Sequence, residues 1–168
     1  MKKYLFVIAV IIITFSACSS NKDKELFDSA SAMYKANNFT GAVTEYQKLV
    51  DEFPNGKYAE DSYLALAGIY QMGKISNINR TDGAKMAIEY YQKFYKQFPN
   101  SDKAPKALFM IGFMRANDLA QYDSARIAYN EFLSKYPKHD LAESVKAELQ
   151  NLGKTPDEII QEKISSSK

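Results

Sequence analysis

Across residues 25–152 the apolar positions recur at helical spacing, three times in the same register. The runs are Ala42, Tyr46, Leu49, Phe53; then Ala87, Tyr91, Phe94, Phe98; then Ala125, Tyr129, Phe132, Tyr136. Within each, the later residues stand 4, 7 and 11 positions after the Ala, which traces one face of an α-helix. A proline follows each final aromatic (Pro54, Pro99, Pro137). It ends the helix, because it has no N–H and disfavours helical backbone at the residue before it. Five residues past each Pro another Ala (Ala59, Ala104, Ala142) opens the next helix, and the prolines are spaced by 45 and 38 residues.

A partner helix is expected ahead of each of these, over 25–37, 58–72 and 103–117. The partners share a large residue followed four later by a small one: Phe27 and Ser31, Tyr63 and Ala67, Leu108 and Gly112. Three residues on stands an aromatic in the first two (Tyr34, Tyr70) but Arg115 in the third. A small residue lets the paired helix approach closely, with aromatics filling the gaps on either side. Turn chemistry separates the pair members at 37–40, 73–84 and 118–123, the middle stretch (GKISNINRTDGA) reading as a loop insertion of about seven residues. No useful length alternates with period two, so strands are not expected. The fold class is all-α, three helical hairpins plus C-terminal capping helices. The first of these capping helices covers 141–152 and ends with Gly153 at C′. In the second, Thr155-Pro156-Asp157-Glu158 combines an N-cap, Pro at N1 and an acid at N3, a capping box for a short helix near Ile164.

The N-terminal stretch follows a different logic. Lys2 and Lys3 precede an apolar run from Leu5 to Phe15, the length of a secretory h-region and shorter than the roughly 20 residues of a membrane span. Phe15-Ser16-Ala17-Cys18 then resembles the bacterial lipoprotein lipobox, with Phe where Leu is usual. That resemblance implies cleavage after a 1–17 signal peptide, diacylglycerol on the Cys18 thiol and fatty acyl chains such as palmitate as the membrane anchor. The alternative is a conventional signal peptide with Cys18 an incidental free thiol. The following polar stretch makes 18–24 a lipidated tether; its six residues 19–24 reach about 20 Å if extended. The domain plan is thus 1–17, 18–24, three repeats over 25–152, and a C-terminal helix and tail over 153–168.

Composition narrows the chemistry. The 168 residues carry 22 Lys plus Arg against 20 Asp plus Glu, and removing 1–17, with its two Lys and no acid, leaves 20 of each. A chain of zero net charge lacks the basic excess by which nucleic-acid binders displace counterions, so no nucleic-acid partner is expected. One Cys and one His exclude an intramolecular disulfide framework and the usual zinc sets. His139 lies in a turn with no nucleophile spaced to use it, and reads as a surface residue. Seven Gly form no phosphate-cradling loop. No catalytic residue, metal or cofactor is expected, the chain is read as not an enzyme, and no small-molecule substrate is expected. Most of the 10 Phe and 12 Tyr fall on repeat positions and belong to the core.

Three helix pairs of this length resemble tetratricopeptide repeats. The matches are Ala67 and Gly112 at the family's small position, Phe39 and Tyr122 at its inter-helix aromatic, and the three Ala, three Tyr and three Pro above. Leu49, Phe94 and Phe132 are bulkier than the family's usual Ala. With the recurring Phe/Tyr-Pro ending, they resemble an envelope subgroup: the lipoprotein of the outer-membrane β-barrel assembly machine and the repeat domain of the Tol–Pal periplasmic coordinator. The resemblance implies a helical-hairpin solenoid whose first helices line a concave, partner-binding side. By register its groove positions fall on Asp28 and Lys35, on Leu64 and Gln71, and on Phe109, Phe113 and Asn117. Phe109 and Phe113 either form an exposed anchor or lie beneath the C-terminal helices. The implied function is a protein-interaction scaffold, anchored by lipid on the periplasmic face of the outer membrane, in β-barrel assembly. Its partners are envelope proteins or extended peptides. The alternatives are a partner in Tol–Pal or cell-wall coordination, a helper of a wall-remodelling enzyme supplied in trans, and a surface lipoprotein capturing a glycan or peptide nutrient.

Overall fold

The computed structural model describes residues 16–166. Met1–Phe15, most of the expected signal peptide, and the last two residues lie outside the described residues. Among the described residues every regular element is an α-helix, eight in order: α1 (Ser16–Lys35), α2 (Phe39–Glu52), α3 (Ala59–Gln71), α4 (Arg80–Gln97), α5 (Ala104–Asn117), α6 (Tyr122–Lys135), α7 (Ala142–Asn151) and α8 (Pro156–Ser166). The described residues fall into two compact units that divide between Ser62 and Tyr63.

In the first unit α1 and α2 form a hairpin. Leu26 and Ala30 of α1 and Ala42, Tyr46, Leu49 and Val50 of α2 are buried. Phe27 stands edge-on to Tyr46, with ring centroids 5.9 Å apart, and stacks on Tyr58 at 4.9 Å. Asn37 takes the left-handed turn between the helices (φ 60°), and the Asn38 side chain caps α2 by accepting from the Gly41 N–H. The extended leash expected over 19–24 is not what forms. Those residues continue α1 toward its N-terminus, so the six span about 9 Å rather than 20 Å. Lys22 pairs with Glu52 at the far end of α2 and lies over the Phe53 ring, while Asp23 is buried. Lys22 thus contacts the end of the neighbouring helix, and the sequence of the stretch itself carries no helical pattern.

The second unit comprises the rest of α3 with α4–α8. In α3 and α4, Tyr70 stacks on Tyr90 at 5.7 Å, and Gly83 lies so close to the Tyr70 carbonyl that a Cβ there would come within 3.0 Å of its oxygen. α4 begins at Arg80, inside the 73–84 stretch read as a loop. Asn79 caps it, accepting from the Asp82 N–H at 2.8 Å and donating to the Asp82 carboxylate at 2.7 Å. Arg80 also pairs with Asp118 at 3.0 Å. The insertion is therefore divided between a short loop and extra helix. The signal was present as Asn79 followed three residues later by an acid, the N-terminal pattern that identified α8. At α8 itself the capping box forms: Thr155 N–H donates to Glu158 at 2.7 Å and Glu158 N–H to the Thr155 hydroxyl at 3.3 Å. Gly153 supplies the left-handed residue (φ 82°) that ends α7. α7 packs on α6 with Ala142 and Val145 buried.

The aromatic-Pro turn repeats bond for bond. Phe53, Phe98 and Tyr136 donate their N–H to Leu49, Phe94 and Phe132 carbonyls at 2.8, 2.8 and 2.7 Å. Their own carbonyls then accept from Gly56, Ser101 and His139, whose carbonyls accept from Ala59, Ala104 and Ala142. His139 belongs to this turn. Its Nδ1 accepts from the Leu141 N–H at 3.1 Å, as the Ser101 hydroxyl accepts from Lys103 at 3.1 Å, and its ring stands perpendicular to Phe132.

The α5–α6 hairpin shows why the small position is small. A Cβ on Gly112 would lie 2.6 and 2.7 Å from two ring carbons of Tyr129, which is fully buried. Gly112→Ala is expected to destabilise the chain by about 1–3 kcal/mol through overpacking. Gly68→Ala in α3, where a Cβ meets nothing within 4 Å, is expected to stabilise it by about 0.5–1 kcal/mol. Urea unfolding of the two variants checks both signs.

Candidate functional site

The candidate site is built on the first helices of the pairs. In the second unit, Leu64 of α3 lines a pocket of about 360 Å³ with Tyr91 of α4 and Lys103, Lys106 and Ala107 of α5. The walls are apolar, one phenol reaches in, and two Lys stand at the first turn of α5. This combination suits an apolar side chain with an acceptor group beside it. Tyr91 is the hinge of the site. Its ring is buried, its hydroxyl donates to the Gln71 side-chain oxygen at 2.9 Å, and burial holds the phenol above its ordinary pKa. Leu64 and Gln71, selected by register, are thus linked through a residue of the facing helix.

Phe109, Phe113 and Asn117 share a face of α5. The two Phe rings are 5.8 Å apart, and Phe109 also lies 6.3 Å from Tyr129. Both are half-buried, between the two arrangements that the sequence left open, and α7 packs on α6. Asn117 is exposed, its amide donating back to the Phe113 carbonyl at 3.0 Å. In the first unit Asp28 and Lys35 are exposed on α1, with Asp28 paired to Lys24 one turn earlier. Cys18 falls in the first turn of α1.

Register alone did not select Lys103, Lys106 or Tyr91. Lys103 and Lys106 stand three apart at the opening of a helix, the spacing that puts two side chains on one face, and this signal was available in the sequence. Tyr91 was assigned to the core and does serve there, but the same ring closes the pocket. Among the described residues no group of three or more His, Cys, Asp or Glu is placed to hold a metal ion.

Comparison with known proteins agrees with this architecture. A family model described as "YfiO: Outer membrane lipoprotein" matches residues 19–155. The chain belongs to the YfiO family of outer membrane lipoproteins. Similar relatives include the outer membrane protein assembly factor BamD of Xylella fastidiosa (strain 9a5c), 24% identical over 147 residues, covering 77% of this chain and 47% of that protein. BamD of Neisseria gonorrhoeae is 26% identical over 151 residues, covering 82% of this chain and 53% of that protein. The chain spans about half the length of these relatives. In fold, the tetratricopeptide domain of Arabidopsis OM64 is similar with a TM-score of 0.54 at 17% identity, over 79% of this chain and 97% of that domain. This YfiO-family chain is therefore an all-α, tetratricopeptide-type array of helical hairpins.

The Tyr91 contact yields a prediction with a defined sign. A tyrosine whose pKa is raised in the folded state contributes stability that is fully present below the ordinary value of 10.0 and is lost as pH rises through the folded value. Tyr91→Phe is expected to weaken the fold by about 0.5–1.5 kcal/mol at neutral pH through the lost Gln71 hydrogen bond. It is also expected to flatten the fall in stability above pH 10. Urea unfolding at neutral pH and at a series of pH values above 10 checks both effects.

Proposed function

We propose that this protein is a lipid-anchored, non-catalytic scaffold on the periplasmic face of the outer membrane, holding partner proteins while outer-membrane β-barrels are assembled. The observation that carries the reading is the family match across 19–155, and relatives named as outer membrane protein assembly factors support the process. Cys18 takes the diacylglycerol. Because α1 is helical from Ser16, the hairpins begin within about 10 Å of chain from the anchor. In the second unit the partner surface is the first-helix face, Leu64 and Gln71 beside Lys103 and Lys106, with Phe109, Phe113 and Asn117 further along α5; in the first unit α1 offers Asp28 and Lys35. Half-buried aromatics side by side are suited to anchor a partner's apolar residues, with Lys at the rim to steer acidic ones.

Cys18→Ser is expected to abolish incorporation of labelled palmitate and to move the protein from the membrane to the soluble periplasmic fraction; retention in the membrane with no label would defeat the anchor. Depletion of the protein is expected to lower β-barrel levels in the outer membrane, and unchanged levels would count against the process. Crosslinking from membranes is expected to recover a defined set of partners with the wild type and to lose them with Phe109→Asp/Phe113→Asp and with Lys106→Glu, the latter an exposed change that leaves the core intact. Equal recovery by all three proteins would remove the groove assignment.

A further inference from the structure

A second groove lies on the other side of α5. Leu108, Ile111 and Arg115 form its floor, on the helix face turned away from Phe109, Phe113 and Asn117. α4 contributes one wall, including Tyr95 and Lys96, and α6 the other, including Ile127 and Ala128; the space is about 340 Å³. In the preceding pair the corresponding residues are Tyr70 and Tyr90, whose rings stack at 5.7 Å and are both buried. Here the same two register positions hold Arg115 and Ala128. Replacing two stacked rings by a guanidinium and a methyl opens the cleft.

Its chemistry is unbalanced in one direction. The Arg115 Nε is buried with no hydrogen-bond partner, and Lys96 adds a second cation at the wall. The one carboxylate lining the groove, Glu131, is already held by Lys135 at 2.8 Å and by the Tyr95 hydroxyl at 3.0 Å. On the rim, Ile127 is 69% exposed, more than any other large apolar side chain among the described residues. A buried donor on an apolar floor, an excess of positive charge and an exposed aliphatic rim together select an anionic, amphipathic occupant. Along α6 the groove runs from Ser124 to Glu131, about 10 Å or two helical turns. A channel of that length between two helices accepts a third helix through side chains at i, i+4 and i+7.

We propose that this groove docks an acidic amphipathic helix of a partner protein, one carboxylate meeting the Arg115 guanidinium while the apolar residues flanking it pack on Ile127, Leu108 and Ile111. The guanidinium fork matches a carboxylate in two parallel hydrogen bonds. This surface is separate from the first-helix face and does not depend on the assignment made there.

The test uses the full acylated chain in detergent micelles, with two Ala-based helical peptides as probes. One carries Leu, Glu and Leu at i, i+4 and i+7, and its twin has Gln for Glu. The Glu peptide is expected to shift the Arg115 Nε–H and Ile127 methyl NMR signals saturably, and the Gln twin to bind about tenfold more weakly or worse. Arg115→Met and Ile127→Ser are each expected to weaken the Glu peptide to a similar degree with the thermal midpoint unchanged. If Arg115→Met does not fold, Ile127→Ser, an exposed change, and the Gln twin carry the same comparison. The proposal is overturned if neither peptide shifts these signals, if the twins bind equally, or if the folded variants bind as the wild type does. It is likewise overturned if phosphatidylglycerol vesicles alone produce the same shifts, since the occupant would then be a lipid surface.

Discussion

In the α1–α2 and α5–α6 hairpins an aromatic of the second helix lodges against a small residue of the first. Gly112 is the limiting case: the Tyr129 ring occupies the space where any side chain would begin. In the first pair the position is Ser31, whose hydroxyl reaches the Tyr46 phenol. In the second it is Ala67, fully buried across from the helix that carries Tyr91. Close approach brings the larger residues on either side, Leu49, Phe94 and Phe132, into full burial, where their apolar area contributes most to stability. Burial also leaves Tyr129 with a hydroxyl that has no hydrogen-bond partner. Its pKa is raised by desolvation and then by the Glu148 charge nearby.

The second constraint is the aromatic-Pro turn. Its hydrogen bonds are the same in all three places although the residues between Pro and Ala differ. The backbone conformation before Pro, with φ near −125° and ψ between 50° and 58°, is the part they have in common. The third position of the turn then adapts to local chemistry: Gly56, Ser101 or His139. Ser101 and His139 each take a backbone N–H two residues on, so the chain's single imidazole does structural work in a turn.

These constraints leave α5 with two usable sides. One carries Phe109, Phe113 and the Lys at its opening, next to the Leu64 pocket. The other carries Leu108, Ile111 and Arg115 under the α4 and α6 walls. A scaffold of helical hairpins works by presenting side chains on a stiff frame, and α5 is stiff because it packs against both α4 and α6. The Tyr95–Glu131–Lys135 cluster ties the two walls together across solvent-facing positions. Burial, as the largest influence, lifts the Tyr95 phenol to about 12, so it stays a neutral hydrogen-bonding group at physiological pH.

Helix count, hairpin pairing, the proline turns and the C-terminal capping box were all readable in the order of residues, because each depends on local periodicity or on contacts within one turn of chain. The small position opposite Tyr129 was readable too, since helical spacing fixes which residue of a hairpin faces inward. Two boundaries were not read correctly. Ser19–Lys24 is helical where Lys22 pairs with Glu52 of α2, a contact that no local pattern records. The early start of α4 did have a local signal in Asn79 and Asp82, overshadowed by the Gly and Asn content around it. The site divides in the same way. Register selected Leu64, Gln71, Phe109, Phe113 and Asn117, but the half-burial of Leu64, Phe109 and Phe113, the link from Gln71 to Tyr91, and the meeting of Leu64 with Lys103 and Lys106 depend on how the helices pack within and between hairpins. Sequence determined which side chains each helix presents to each side; tertiary packing decided which remain accessible, because accessibility is a property of the neighbours.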